Sequence, residues 1–207
     1  PKAPAILADM TGQSMTHEDF SWLSHRKIDL AGCQANVIRV SFAGEAGFEI
    51  HCQMDDVVGV YDAVMVAGAA HQLRPFGMLA LDSMRLEKGY RSWKSDLTSD
   101  YTMFDSGLGR WVNFNKDDFV GRAALQAEKQ AGSQGEFVTL TLDDPDDDAP
   151  FGEAVYLSNV SIDGADAGLV VSAGYGHRVG ASIAMAVVDR QALANAKDIS
   201  VLVLGRK

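Results

Sequence analysis

The densest group of chemically capable side chains lies in LDSMRLEKGYRSW, residues 81–93, directly after the apolar residues GMLA. The stretch combines acids, arginines, a lysine, a tyrosine and a tryptophan. Such a mixture can form a cluster of ion pairs, or it can line a pocket for a ligand of mixed polarity. We expect Arg85 and Glu87 to form a structural ion-pair cluster that ties two regions of the chain together, and Trp93 to line a pocket.

A second candidate is Glu49 in SFAGEAGFEIH, residues 41–51. Strand alternation puts Phe48 and Ile50 on one face and Glu49 with His51 on the other. If both faces of the sheet are covered, Glu49 is a buried carboxylate that needs a basic partner or a ligand with hydrogen-bond donors. If one face of the sheet is exposed to solvent, Glu49 lies on that exposed face. Periodicity leaves both alternatives open.

Other polar residues offer weaker chemistry. The glycines of GYGHRVG, residues 174–180, lack the spacing of a dinucleotide-binding or P-loop motif, so we expect a turn between strands. The acidic run DDPDDD, residues 143–148, lacks the glycine and the closing glutamate of an EF-hand and is typical of a solvated turn. His17, His25 and His71 have no metal-ligand spacing. We therefore predict no metal site.

Composition excludes several classes of function. A net charge of −10, from 28 acidic and 18 basic residues, repels phosphate backbones and argues against nucleic-acid binding. The apolar runs are far shorter than the roughly 20 residues of a membrane-spanning helix. Cys33 and Cys52 are too few for a disulfide framework, and we expect buried thiols. The N-terminal residues lack the pattern of a secretion signal, so the expected location is the cytoplasm.

Local patterns in the first part of the chain predict the elements that position these side chains. Residues 35–52 alternate on both sides of Gly-Glu-Ala-Gly, which predicts a β-hairpin. Residues 54–73 carry Val57, Tyr61 and other apolar side chains at helical spacing, which predicts an amphipathic helix over the sheet. Residues 119–132 predict another short helix, closed by glycine.

The pattern changes from residue 136 onward. FVTLTL, EAVYLS, LVVSAG, SIAMAVV and ISVLVL are strand-like segments divided by turns, which indicates a small antiparallel barrel or sandwich. We therefore predict an α+β fold with two domains. The first domain spans residues 1–133, and a small C-terminal β-barrel spans residues 134–207.

Several of these motifs together resemble the folate-binding aminomethyltransferase family. The resemblance is carried by the hairpin segment 41–51, by the segments 80–109 and 115–125, and by GLVVSAGYGHRVGASIAMAVVD, residues 168–189. The family includes the T-protein of the glycine cleavage system and the C-terminal halves of dimethylglycine and sarcosine dehydrogenases. EKGYRSW and GYGHR resemble the flavin-linked dehydrogenases more than the T-protein. The resemblance implies a partial T-protein-like folate-binding domain followed by a barrel.

The resemblance also implies cofactor-binding residues for tetrahydrofolate. In the family, the glutamate at the place of Glu49 binds the pterin ring, whose adjacent N–H groups a carboxylate can accept as a fork. Phe42 stands where the family usually has a tyrosine that lines the folate pocket, and Leu81 stands where the T-protein branch has an arginine that contacts folate. Trp93 is expected to line the pocket, and Arg178 to face the glutamate tail of folate.

The resemblance implies a larger functional unit than this chain. The family's aspartate at the reacting centre lies in a region well over a hundred residues long before the hairpin, so we expect no catalytic residue in this chain. We expect the C-terminal portion of a tetrahydrofolate-dependent aminomethyltransferase, part of a flavin-linked dehydrogenase that demethylates N-methylated glycines. FAD would belong to the parent protein. The expected partner is the missing N-terminal half of the domain or a complementary chain, without which the chain is inactive. The alternative is a non-catalytic interaction or assembly module with the same fold.

Overall fold

The computed structural model describes residues 1–149, 154–158 and 166–204. Packing divides the chain into two compact units, Pro1–Leu81 and Asp82–Lys207. The domains predicted from sequence, 1–133 and 134–207, follow the change in local pattern along the chain, and that division stays a prediction.

The first unit is built on a three-stranded antiparallel sheet in the order β1-β2-β3. Helix α2 follows the sheet in sequence and is preceded by a short 3₁₀ turn at Met54–Asp56. The elements are α1 (Ala3–Thr11), β1 (His25–Leu30), β2 (Cys33–Ile38), β3 (Glu49–His51), α2 (Val57–Ala69) and the start of α3 (Met78–Glu87). The core of this unit is formed by Leu7, Met15, Phe20, Ile28, Leu30, Ala35, Val37 and Val60.

The predicted hairpin is confirmed by the antiparallel pairing of β2 with β3, in which Val37 lies opposite Ile50. Its connection is longer than the predicted Gly-Glu-Ala-Gly turn and runs through residues 39–48. Strand β1 was not predicted. It pairs with β2 through a two-residue turn, Ala31-Gly32, whose φ values of 56° and 83° are both positive. Such turns match the twist of the strands they join.

The helix predicted over 54–73 is confirmed as α2, but only part of its expected apolar face is covered. Val60 is buried in the first core, and Val64 packs against that core. Val57 and Tyr61 are exposed. The helix is apolar on nearly all sides, so helical spacing could not identify which side faces the sheet.

Cys33 and Cys52 are partly buried and pack against the first core, so the expectation of fully buried thiols was only partly right. Among the residues with described placement, no helix is long and apolar enough to cross a membrane. Within those same residues, no group of His, Cys, Asp and Glu side chains could hold a metal ion.

The second unit is built on a five-stranded antiparallel sheet in the order β4-β7-β6-β5-β8. The five predicted strand segments are confirmed over their described residues, as is the short helix near 119–132. Residue 153 of EAVYLS lies outside the described residues, and the strand predicted over ISVLVL ends at Val201. The elements are α4 (Arg122–Ala131), β4 (Gly135–Thr141), β5 (Ala154–Ser158), β6 (Asp166–Gly176), β7 (Ala181–Asp189), α5 (Arg190–Asn195) and β8 (Asp198–Val201), with a 3₁₀ turn at Gly109–Trp111.

The two edge strands of this sheet, β4 and β8, line one cavity of about 480 Å³ together with residues 143, 144 and 147. A sheet whose opposite edges face one cavity is curled toward closure, as the predicted barrel requires. The interior strand β7 is buried on both faces, which explains its unbroken apolar run. Its residues enter two cores, Ala184, Ala186 and Val188 on one side and Ile183, Met185 and Val187 on the other.

Candidate functional site

Glu49 faces solvent at the first residue of β3. Its side chain is 58% exposed, and its Oε2 lies 3.3 Å from Nε2 of His51, which is equally exposed. The two side chains share one face of the strand, as alternation predicted. Of the two alternatives that periodicity left open, the structure has the solvent-facing carboxylate. Glu49 can therefore accept hydrogen bonds from a ligand without a prior loss of buried contacts.

The opposite face of β3 is anchored in the core of the first unit. Phe48 and Ile50 pack against that core, and the Phe48 ring centroid lies 5.4 Å from that of Phe20. Because this face is fixed by packing, the strand holds Glu49 in a defined position. A rigid strand is a better support for a binding residue than a flexible loop.

Arg39 fixes the start of the connection between β2 and β3. Its Nη1 donates to the carbonyl oxygens of Met15, Thr16 and Phe20 at 3.1, 2.7 and 2.7 Å. Its guanidinium also lies 5.7 Å from the Phe48 ring centroid. Sequence analysis missed this role, because nothing in the local pattern indicates three carbonyl groups that are distant along the chain.

Phe42 lies in the same connection, which folds back on itself. A Cβ on Gly47 would lie 2.9 Å from Cβ of Ser41, so the close approach of residues 41 and 47 requires glycine. Phe42 is exposed at this bend. The structure therefore places Phe42 in the connection that leads to the strand carrying Glu49.

Trp93 and Arg178 belong to the second unit. Trp93 is 76% exposed, and its backbone forms an isolated bridge with Leu97. Arg178 lies in the turn between β6 and β7, which confirms the turn predicted for residues 174–180. Its backbone N–H donates to Oε1 of Glu87 at 2.6 Å. An exposed indole and an exposed guanidinium are suited to stacking and to binding carboxylates, respectively.

The buried centre of the second unit is an ion pair between Arg85 and Asp96. Nη1 of Arg85 lies 2.6 Å from Oδ2 of Asp96, and Nε lies 2.6 Å from Oδ1 of Asp82. Nη2 donates to Oγ of Ser172 on β6 at 2.8 Å, and Ser172 in turn donates to Asp96. Nη1 also donates to the carbonyl oxygen of Tyr90 at 3.1 Å.

These contacts confirm the ion-pair role predicted for Arg85, whereas the contacts shown for Glu87 are hydrogen bonds from the backbone N–H groups of Arg178 and Val179. Arg85 joins the end of α3 to β6, and Glu87 joins it to the turn after β6. Asp96 was not predicted as the partner of Arg85. Oδ2 of Asp96 also accepts from the backbone N–H of Ser92 at 2.6 Å, so the same carboxylate closes the turn that carries Trp93.

Asp105 positions the loop before β4. Partial burial acts to raise the pKa of Asp105, but hydrogen bonds from the N–H groups of Gly135 and Thr102 and from the Thr102 hydroxyl outweigh it and lower the pKa. The Gly135 bond is 2.7 Å long and ties the loop to the first residue of β4. Asp105 is a structural residue of this unit.

The four predicted cofactor-binding residues thus lie in two pairs. Glu49 and Phe42 belong to one hairpin of Pro1–Leu81, and Trp93 and Arg178 to Asp82–Lys207. The cavity between β4 and β8 is lined by none of the four. The assignment of these residues to cofactor binding stays a prediction.

Family models match both parts of the chain. The model described as the GCVT N-terminal domain matches residues 1–116, and the glycine cleavage T-protein C-terminal barrel domain matches residues 136–207. The solved structure of the glycine cleavage system aminomethyltransferase T from Bartonella henselae aligns with a TM-score of 0.75 at 24% identity, over 90% of this chain and 48% of that chain. This similarity shows that the fold is shared.

Curated relatives are of two kinds. The chain is 30% identical to mitochondrial dimethylglycine dehydrogenase of Homo sapiens over 207 residues, which are 100% of this chain and 23% of that protein. It is 34% identical to the aminomethyltransferase of Saccharopolyspora erythraea over 192 residues, which are 92% of this chain and 50% of that protein. The cytoplasmic location predicted from sequence stays a prediction beside the mitochondrial name of the human relative.

The chain therefore spans about a quarter of the length of the dehydrogenase relative and half of the length of the aminomethyltransferase relative. Its two matched regions follow the order expected from the sequence motifs, with the hairpin region before the barrel. By these matches the chain belongs to the glycine cleavage T-protein family of aminomethyltransferases.

Proposed function

We propose that this chain is the C-terminal portion of a tetrahydrofolate-dependent aminomethyltransferase domain and that Glu49 binds the pterin ring. The observation that carries the proposal is the position of Glu49. It is an exposed carboxylate on a strand fixed by its opposite face, inside the region that matches the N-terminal family domain. A pterin presents adjacent N–H donors, and such a carboxylate can accept both.

The chemical types of the four predicted binding residues suit the parts of tetrahydrofolate that they would contact. Bound tetrahydrofolate supplies the nucleophilic nitrogen that takes up a one-carbon unit. Glu49 would orient the pterin, Phe42 would contribute apolar contact, and Trp93 would shield the bound ligand from water. Arg178 would bind the carboxylates of the glutamate tail. Orientation of a reactant in this way can lower a barrier by about 7–11 kcal/mol, so a chain without a catalytic residue can still contribute to the rate.

The parent protein, in this proposal, is a flavin-linked dehydrogenase that demethylates an N-methylated glycine. Two observations support it: the dimethylglycine dehydrogenase match covers the whole chain, and the motifs EKGYRSW and GYGHR resemble that branch. FAD would be bound by another part of the parent protein. The chain would act with the remaining half of the folate-binding domain and would be inactive without it.

A second candidate is a non-catalytic interaction module that keeps the family fold. The observation that favours it is Leu81, which stands where the T-protein branch has an arginine that contacts folate. Phe42 likewise lacks the hydroxyl of the usual tyrosine. A module of this kind would keep its fold without binding tetrahydrofolate.

Glu49→Gln in the full-length parent protein tests the proposal. Glutamine removes the charge and turns one acceptor into an amide donor that would face the donors of the pterin. A hydrogen bond to a charged group contributes roughly 1.5–3 kcal/mol, so tetrahydrofolate affinity should fall by about one to two orders of magnitude. Titration calorimetry measures the affinity, and product analysis should show formaldehyde in place of the transferred one-carbon unit.

Glu45→Gln is the matched control, because it makes the same chemical change in the connection that precedes β3. We expect its tetrahydrofolate affinity to stay near that of the wild type. Flavin reduction by the amine should continue in both variants. Unchanged tetrahydrofolate affinity in Glu49→Gln would remove Glu49 as the pterin ligand and favour the interaction module.

A further inference from the structure

Helix α2 exposes an apolar face on the side away from its core contacts. Met54, Val58 and Val66 are 84%, 69% and 78% exposed, and Tyr61 is also exposed. At about 100° per residue, Val58, Tyr61 and Val66 lie within roughly 140° of one another around the helix axis. We call these three residues of α2, together with Met54 of the preceding 3₁₀ turn, the outer face of α2. Val60, on the opposite side, packs in the core.

The outer face of α2 is unusually apolar for a helix face that is exposed to solvent. Asp62 is the one charged residue of α2, and helical spacing puts it between Val58 and Val66 on the outer face. A surface helix of a globular protein normally carries charged and polar residues opposite its apolar stripe, and a helix that is apolar on all sides is normally buried. The outer face therefore has the character of a surface that another polypeptide covers.

The same unit exposes a second apolar segment. Phe76, Met78 and Leu79 are all largely exposed in the residues that lead into and begin α3. Exposed apolar residues scattered singly need no explanation, but several such residues on one compact unit of 81 residues indicate an interaction surface. Both apolar segments lie within residues 1–116, which match the N-terminal family domain.

The aminomethyltransferase relatives indicate what covers this surface. The chain matches 50% of the Saccharopolyspora erythraea protein and 48% of the Bartonella henselae structure, so these relatives contain about as much polypeptide again. A largely apolar surface suits a permanent contact with an apolar protein surface, because permanent interfaces resemble a domain core.

We infer that the outer face of α2, together with Phe76, Met78 and Leu79, is the docking surface for the half of the folate-binding domain that corresponds to the unmatched part of these relatives. This inference rests on the proposed function, because that function supplies the second half. It adds the surface on which the second half is seated. The contact would be apolar and permanent.

Thiol labelling of Val58→Cys tests the inference. The variant is prepared in the 207-residue chain and in a linked polypeptide, in which the unmatched half of the Saccharopolyspora erythraea aminomethyltransferase precedes the chain. Linkage gives the two halves a high effective concentration. Mass spectrometry of the peptide that carries residue 58 follows the modification. We expect labelling to slow at least about tenfold in the linked polypeptide, since a covered thiol reacts only after local opening.

Val120→Cys is the matched control, because Val120 is fully exposed and belongs to the second unit. Its labelling rate should be the same in both polypeptides. A second measurement uses Val58→Glu/Val66→Glu, which should leave the melting temperature of the 207-residue chain nearly unchanged and lower that of the linked polypeptide. Equal labelling of Val58→Cys in both polypeptides, or no effect of the glutamates on the linked one, would overturn the inference.

Two other partners could cover the docking surface, and the experiments distinguish both from the proposed one. If sedimentation shows that the chain alone is a dimer which Val58→Glu/Val66→Glu dissociates, a second copy covers the surface and the inference is wrong. Binding of the chain to phosphatidylcholine vesicles that the same variant abolishes would also overturn it. Neither readout uses folate, so protection of Val58→Cys without tetrahydrofolate binding would keep the docking surface and remove the proposed function.

Discussion

Arg85 and Asp96 are both charged residues, yet neither is accessible to water. Arg85 is 3% exposed and Asp96 is fully buried. Burial of two charges costs several kcal/mol per ion, and the pair is retained where further hydrogen bonds complete it. Here Asp82, Ser172 and the Tyr90 carbonyl accept from Arg85. The pair therefore fixes the geometry of the segment from α3 to the Trp93 turn.

Removal of one partner should be strongly destabilising. Asp96→Asn leaves the buried guanidinium of Arg85 without its counter-charge, so we expect a loss of about 3–5 kcal/mol in the free energy of unfolding. Urea denaturation followed by circular dichroism measures this loss. The control is Asp100→Asn, at an exposed carboxylate in the same segment, which should cost less than about 1 kcal/mol. Equal costs for the two variants would show that the Arg85 pair is not a structural centre.

At the scale of elements, the connection between β2 and β3 decides where Glu49 and Phe42 lie. Arg39 holds its beginning to the 15–20 segment, and the packing of Phe48 holds its end. Between them the chain reverses at the contact of Ser41 with Gly47. Glycine is required at position 47 because a Cβ would approach Ser41 too closely, and not because of the backbone angle φ.

Two glycine-to-alanine substitutions should have opposite effects on this unit. In Gly47→Ala the new Cβ would lie 2.9 Å from Cβ of Ser41, so the connection must shift and we expect a loss of about 1–3 kcal/mol. In Gly59→Ala, inside α2, nothing lies within 4 Å of the new Cβ, and the helix should gain about 0.5–1 kcal/mol.

Denaturant unfolding of the two glycine variants beside the wild type measures both effects. In the full-length parent, Gly47→Ala should also weaken tetrahydrofolate binding, whereas Gly59→Ala should not. A stability of Gly47→Ala equal to that of the wild type would show that the reversal at residues 41–47 does not depend on the contact with Ser41.

At the scale of the whole molecule, the chain combines a net charge of −10 with a large apolar surface on its first unit. Folate carries carboxylates, so the overall field would oppose its approach, and the proposed binding would depend on local groups such as Arg178. The matched relatives are about two to four times as long as the matched region. Both facts agree with the proposal that a second half completes the folate site.

The 207-residue chain by itself should therefore bind tetrahydrofolate weakly and show no one-carbon transfer. We expect its affinity to be at least about tenfold lower than that of the linked polypeptide, because half of the proposed site is absent. Titration calorimetry of the two polypeptides makes the comparison. Tight binding by the chain alone, or turnover by it, would contradict the proposal that a second half is needed.

The sequence by itself determined the hairpin of β2 and β3, helices α2 and α4, the five C-terminal strands and the family, whereas β1 was not predicted. Alternation in 35–52 specifies strands because the side-chain period of two is fixed by backbone geometry. The C-terminal strands were indicated by short apolar segments divided by turn residues, and motif order then identified the family. It also determined that Glu49 and His51 share a face.

Only the tertiary structure decided which face of the sheet is exposed to solvent and which charged side chains form pairs. Alternation cannot show whether a second layer covers a sheet, so the exposure of Glu49 and of the outer face of α2 became visible only in the fold. Ser172, which accepts from Arg85, and the carbonyl groups that accept from Arg39 are likewise distant along the chain, because these contacts are set by how packed elements approach one another. Burial and long-range pairing depend on the whole arrangement of the chain, and local spacing carries no information about either.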